Sequence, residues 1–192
     1  MDESWEDPSK SVVEVSIFKK QDLYLSNKNQ EQKMVTKISD ETQIPAPAAK
    51  VWALYGTIHF ADFLQLHLPN IIKNIELLEG DGGQGTLVLV TFAPDLGGMR
   101  YKEKFVKIDN EKRIKIAEMV EGGYLDLGFS VYRFCFEIIE KDEESSIVKS
   151  SVEYELKEEA AANISLASVE PLIAIAQAAK SYFLNAQQPK DA

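Results

Sequence analysis

Tyr101, Glu103 and Phe105 alternate within MRYKEKFVKIDNEKRIKI, residues 99–116, and so share one face of a strand. Lys102, Lys104 and Lys107 fall mostly on the other face. A carboxylate between two aromatic rings has two readings. It is an ordinary solvated residue, or it sits in an apolar pocket, where desolvation raises its pKa and prepares it for acid–base work near neutral pH. Beyond the next turn, Lys115 is the candidate partner. A two-residue turn would pair Asp109 with Lys112 and send Lys115 to the side opposite Glu103. A three-residue turn, or a bulge, would pair Ile108 with Lys112 and Phe105 with Lys115. Glu103 and Lys115 would then be diagonal neighbours roughly 7–8 Å apart. Composition leaves the two registers open.

The elements around this hairpin are legible from their punctuation. MVTKISDETQI alternates as a strand and ends before Pro45 and Pro47. Pro47 is placed to start a helix with Val51, Trp52, Leu54 and Tyr55 as its apolar stripe; Phe60, Phe63 and Leu64 mark a second short helix. After Pro69, strand follows strand: IIKNIELLE, TLVLVTFA, RYKEKFVKI, RIKIAEMV, a long YLDLGFSVYRFCFEIIE and IVKSSVEYELK. The chain closes on EEAAANISLASVEPLIAIAQAAKSYFLNAQ, a long helical pattern with a kink expected at Pro171. Residues 1–30 read as an N-terminal extension, partly disordered, with an extended segment around 11–18. Residues 31–188 read as one domain. Segregated helices and an antiparallel sheet make the fold α+β. Seven such strands around one long helix leave an apolar cavity between them, the usual form of a small-molecule site.

Composition excludes several partners. Over 192 residues the net charge is −10, which argues against nucleic acid and anionic membrane surfaces. No apolar segment approaches the length of a membrane span, and the acidic start MDESWEDPSK lacks the basic and apolar regions of a signal peptide. The single cysteine, Cys135, suits a reducing compartment and reads as a buried, inert thiol, so the expected location is cytoplasmic. GDGGQG is a turn rather than a phosphate loop, because Thr86 opens a strand where a Lys-Ser/Thr helix start is required. His59, His67 and Asp62 lie on short helices without further ligands nearby, and no metal is assigned.

EGDGGQGT (79–86), YKEKFVKIDNEKR (101–113), MVEGGYLDLG (119–128), KSSVEYELK (149–157) and VEPL (169–172) together resemble the Bet v 1 (PR-10) family of plant proteins, over about residues 33–187. The combination of YKEKF, DNE and EGGYLDLG is similar to its norcoclaurine synthase branch. That resemblance implies a helix-grip fold around a tunnel where dopamine and an aldehyde condense by a Pictet–Spengler reaction, with no cofactor. It places catalytic roles on Tyr101, Glu103 and Lys115, and it favours the register in which the last two face inward together. The branch's fourth functional residue, an aspartate, falls at Phe134. A phenyl ring offers area and a cation–π contact worth about 0.5–2 kcal/mol to a protonated amine, but it cannot hold an amine or catechol as a carboxylate does. Phe105, Met119, Tyr132, Phe134, Leu166 and Ile173 are the residues expected against substrate. The implied partners are a small amine and an aldehyde, or another hydrophobic metabolite; the oligomeric state stays open. The competing reading is a non-catalytic carrier of hydrophobic metabolites or hormones. Phe134 supports it, while the Tyr–Glu–Lys set opposes it, since passive carriage needs no ionisable pair.

Overall fold

Pro45 and Pro47 end the first strand, and Pro47 adopts φ −54°, ψ 142° to start the helix that follows. In the computed structural model, which describes residues 35–187, β1 (Thr36–Ile44) precedes α1 (Ala48–Tyr55) and α2 (His59–His67). Six strands follow: β2 (Ile72–Glu79), β3 (Leu87–Phe92), β4 (Arg100–Asp109), β5 (Ile114–Gly122), β6 (Phe129–Glu140) and β7 (Ser146–Leu156). The domain closes with α3 (Glu170–Gln187). The extension expected over residues 1–30 lies outside the described residues.

The strands form one seven-stranded antiparallel sheet in the order β1-β7-β6-β5-β4-β3-β2. Every neighbour is sequential except β1, which pairs with β7, so α1 and α2 carry the chain from one edge of the sheet to the other. Helical periodicity sets their faces: Val51 and Tyr55 are buried on α1, as are Phe60, Phe63 and Leu64 on α2. The α+β helix-grip architecture read from the sequence is the one observed.

Two elements differ from expectation. YLDLG does not begin a long strand; Gly123–Leu127 is a 3₁₀ turn, and β6 starts at Phe129 after Gly128 at φ 94°. The closing pattern is not one kinked helix either. Glu158–Leu166 is 3₁₀, the backbone is extended at Ala167, and Pro171 occupies the first turn of α3, where its missing N–H costs nothing. The run 158–186 is also long and apolar enough to cross a membrane, contrary to the sequence reading. Here it is divided, and α3 buries Leu172, Ile175, Ala176, Ala179 and Phe183 in the core. The close backbone approaches of α3 are to β1 and β7, which leaves room over β4 and β5.

The glycine-rich loop is a packing device. Gly82 stands at φ +96°, and a Cβ there would lie 2.7 Å from Cβ of Ile58, at the start of α2. Its N–H donates to the buried Thr86 hydroxyl at 2.9 Å. Gly85 has a similar φ of +93° but open space around it. Gly82→Ala therefore loses about 1–3 kcal/mol of stability in urea unfolding, and more than Gly85→Ala, which carries the backbone strain alone. Equal losses would mean that the packing on Ile58 contributes nothing.

Candidate active site

Parity along the β4–β5 hairpin decides which charged groups enter the interior. Asp109 pairs with Ile114, so Asn110, Glu111, Lys112 and Arg113 form the loop. The Asp109 carboxylate accepts the Lys112 N–H at 3.0 Å, and Arg113 takes the left-handed conformation at φ 53°. Asn110 also accepts the indole N–H of Trp52 at 3.1 Å, which ties α1 to the turn. Leaving the loop, Ile108 pairs with Lys115; the register then shifts at Val106, so that Phe105 faces Ala117 and Glu103 faces Met119. The bulge puts Lys115 and Glu103 on the same inner face. This is the bulged alternative, but with a different pairing. Phe105 lies opposite Ala117 rather than Lys115, so Glu103 and Lys115 are one step further apart than diagonal neighbours.

Tyr101, Glu103, Phe105, Lys115 and Phe134 all line one apolar cavity beneath α2 and α3. Lys115 is only 3 % exposed. Burial raises the Glu103 carboxyl pKa well above the ordinary carboxylate value, with the Lys115 charge and a hydrogen bond from the Tyr101 hydroxyl opposing the rise. Glu103 keeps some accessible surface because it borders the cavity, yet it is surrounded by protein. Burial lowers the Lys115 pKa, and the Glu103 charge opposes that fall. Burial pushes the Tyr101 hydroxyl upward, and the neighbouring Glu103 adds to it. The arrangement is a phenol, a carboxyl and an amine in one largely apolar space, the last two shifted toward neutrality from opposite sides.

Phe134 stands in the cavity wall, its ring 6.2 Å from that of Tyr101 and 5.4 Å from that of Tyr132. Four other predicted contacts are absent from the wall. Met119 and Tyr132 are fully buried outside it: Met119 accepts the Tyr124 N–H on its sulfur at 3.3 Å, and Tyr132 stacks on Tyr124 at 4.4 Å. Gly123 makes that packing possible, since a Cβ there would lie 2.9 Å from both the Met119 sulfur and Cβ of Tyr101. Leu166 is exposed in the 3₁₀ segment, and on α3 it is Leu172 and Ile175, not Ile173, that reach the cavity. The helix beginning at Glu170 rather than before Leu166 explains both misses. Sequence reasoning also passed over Phe60 and Ile58, which close the cavity from the α2 side. No pattern in the sequence links α2 to β5, because that contact is purely tertiary.

Other candidate groups lie elsewhere. His59 pairs with Asp62 at 3.5 Å on an exposed surface, and His67 packs between Phe63 and Tyr182. Among the described residues no group of three or more His, Cys, Asp or Glu could hold a metal ion. Cys135 is buried on the outer side of the sheet, and burial raises its thiol pKa to about 11.

Residues 33–185 match the pathogenesis-related protein Bet v 1 family. The chain belongs to that family. It is 49% identical over 148 residues to norbelladine synthase from Narcissus pseudonarcissus, covering 77% of this chain and 91% of the relative. It is 36% identical over 184 residues to S-norcoclaurine synthase 1 from Papaver somniferum, covering 93% of this chain and 80% of the relative. A norcoclaurine synthase from Thalictrum flavum, solved in complex with dopamine and hydroxybenzaldehyde, superposes with a TM-score of 0.72 at 35% identity, over 81% of this chain and 90% of that one. In this Bet v 1 protein, Glu103→Gln lowers the pKa of Lys115 further, because the carboxylate that favours the ammonium is gone. The Lys115 ¹³Cε titration in lysine-labelled protein reads this directly, and an unchanged or raised midpoint would separate the two groups.

Proposed function

We propose that this protein condenses an arylethylamine with an aldehyde by acid–base catalysis in the cavity, with ring closure of the Pictet–Spengler type. The observation that carries this reading is the Glu103–Lys115 pair on one apolar wall, with Tyr101 beside it. The similarity to norbelladine and norcoclaurine synthases supports it, as does the dopamine and hydroxybenzaldehyde held by the norcoclaurine synthase of like fold. A carrier gains nothing from burying two ionisable groups at the cost of their desolvation.

The steps follow from placement. The substrate amine adds to the aldehyde carbon, giving a carbinolamine. Lys115 donates a proton to its hydroxyl, which leaves as water, and an iminium forms. An aromatic carbon of the amine attacks the iminium carbon, forming the new C–C bond. Glu103 then takes the ring proton, restoring aromaticity, and Tyr101 hydrogen-bonds the intermediate through its hydroxyl. The sequence is redox-neutral, with one water lost.

Turnover of dopamine with 4-hydroxyphenylacetaldehyde tests the reading, with loss of roughly 10²–10⁴-fold in Lys115→Ala and in Glu103→Ala. Wild-type rates in both variants would remove the assignment. The pH–rate profile is bell-shaped, because Glu103 must be ionised and Lys115 protonated. Its acid limb lies above the ordinary carboxylate value of 4.5 and its alkaline limb below the ordinary lysine value of 10.5. Phe134 determines how the amine is held. Phe134→Asp lowers the KM for dopamine more than that for the aldehyde, and an unchanged amine KM would show that this wall does not contact the amine.

A further inference from the structure

We propose that Phe105 and Phe60 form an aromatic cradle that positions the Lys115 ammonium and keeps it charged in the cavity for proton delivery. The inference rests on Lys115 being the proton donor, and it adds two positioning residues to that role. The Lys115 Nζ lies 4.0 Å from the centroid of the Phe105 ring and 5.5 Å from that of Phe60. Both separations are within the reach of cation–π attraction, which strengthens as water is removed. The register is consistent with the geometry: Phe105 lies between Glu103 and the level of Lys115 on the inner face, and the Lys115 ammonium stands over its ring.

Tyr101, Glu103 and Lys115 are the ionisable groups lining the cavity, and Glu103 is the one whose charge is felt at Lys115. No ion pair within 4.0 Å joins Lys115 to another described residue. From α2 the group facing it is the Phe60 ring; β6 contributes Phe134 and Phe136, and α3 contributes Pro171, Leu172 and Ile175, none of them charged. Phe60 itself packs against Tyr55 at 4.4 Å and Phe136 at 5.5 Å, which restrict its ring. One ring belongs to the strand that carries the base and the other to α2, which packs against β2. The lysine is therefore set only when α2 is docked.

Removing a ring face disfavours the ammonium relative to the neutral amine, so the Lys115 titration moves to lower pH. Two measurements are made on the full chain. One is the ¹³Cε titration of Lys115 in lysine-labelled protein, assigned with Lys115→Met; the other is the pH dependence of kcat. Phe105→Leu lowers the Lys115 midpoint by roughly 0.4–1.5 pH units, and Phe60→Leu lowers it less, in keeping with the longer distance. The alkaline limb of kcat moves down by the same amount. Phe105→Tyr, which keeps the ring face, restores both. Incorporation of 4-fluoro- and 3,4,5-trifluorophenylalanine at position 105 weakens the face in steps while nearly preserving shape, and gives a graded shift even if the leucine variants fold poorly. A midpoint unmoved across the fluorinated series overturns the cradle. A midpoint that moves while the alkaline limb stays fixed leaves the cradle standing and overturns Lys115 as the donor.

Discussion

With a four-residue loop, an uninterrupted β4–β5 ladder would pair Glu103 with Val120 and leave Lys115 on the opposite side of the sheet, because side chains alternate strictly along each strand. The extra residue at Val106 changes that parity, and the lysine turns inward. The presence of both ionisable groups on one face depends on this irregularity. Without it, the carboxyl would face a wall of aromatic and aliphatic groups with no ammonium to oppose its desolvation. The loop is itself held from both sides, by the Asp109 carboxylate within it and by Trp52 from α1, so the register is anchored at the turn.

Burying a carboxyl and an amine in an apolar space is costly, and their mutual attraction only partly offsets the loss of hydration. The direction of both shifts shows which effect is larger: burial outweighs the partner's charge at Glu103 and at Lys115 alike. The outcome is two groups whose proton affinities have moved toward each other, the condition for passing protons at neutral pH. A fold maintained only for packing would fill these positions with aliphatic residues. The sheet does so elsewhere on its inner face, where Val88, Ile138, Val148 and Val152 are fully buried.

Much of this was legible in the sequence because local chemistry punctuates it. Prolines at 45 and 47, the glycine-rich turn and the alternating strands specified the element order and hence the α+β sheet. Tyr101 and Glu103 could be placed on one face from alternation, and Phe134 from its period with Phe136. What could not be read was what depends on single residues or on distant contacts. A bulge at Val106 carries no compositional mark. The start of α3 at Glu170 rather than Glu158 moved the helix register, so Leu172 and Ile175 stand where Leu166 and Ile173 were expected. Phe60 meets Lys115 only once α2 is packed across the sheet.

The central claim is that Glu103 and Lys115 serve one reaction in one space. A double-mutant cycle on dopamine–aldehyde turnover tests it most directly, with wild type, Glu103→Gln, Lys115→Met and the double variant compared at saturating substrate. If acid and base act in successive steps of one path, the double variant is about as slow as the slower single one, since removing a second member of a working unit adds little. Losses that multiply, or a single variant that keeps the wild-type rate, would contradict the account.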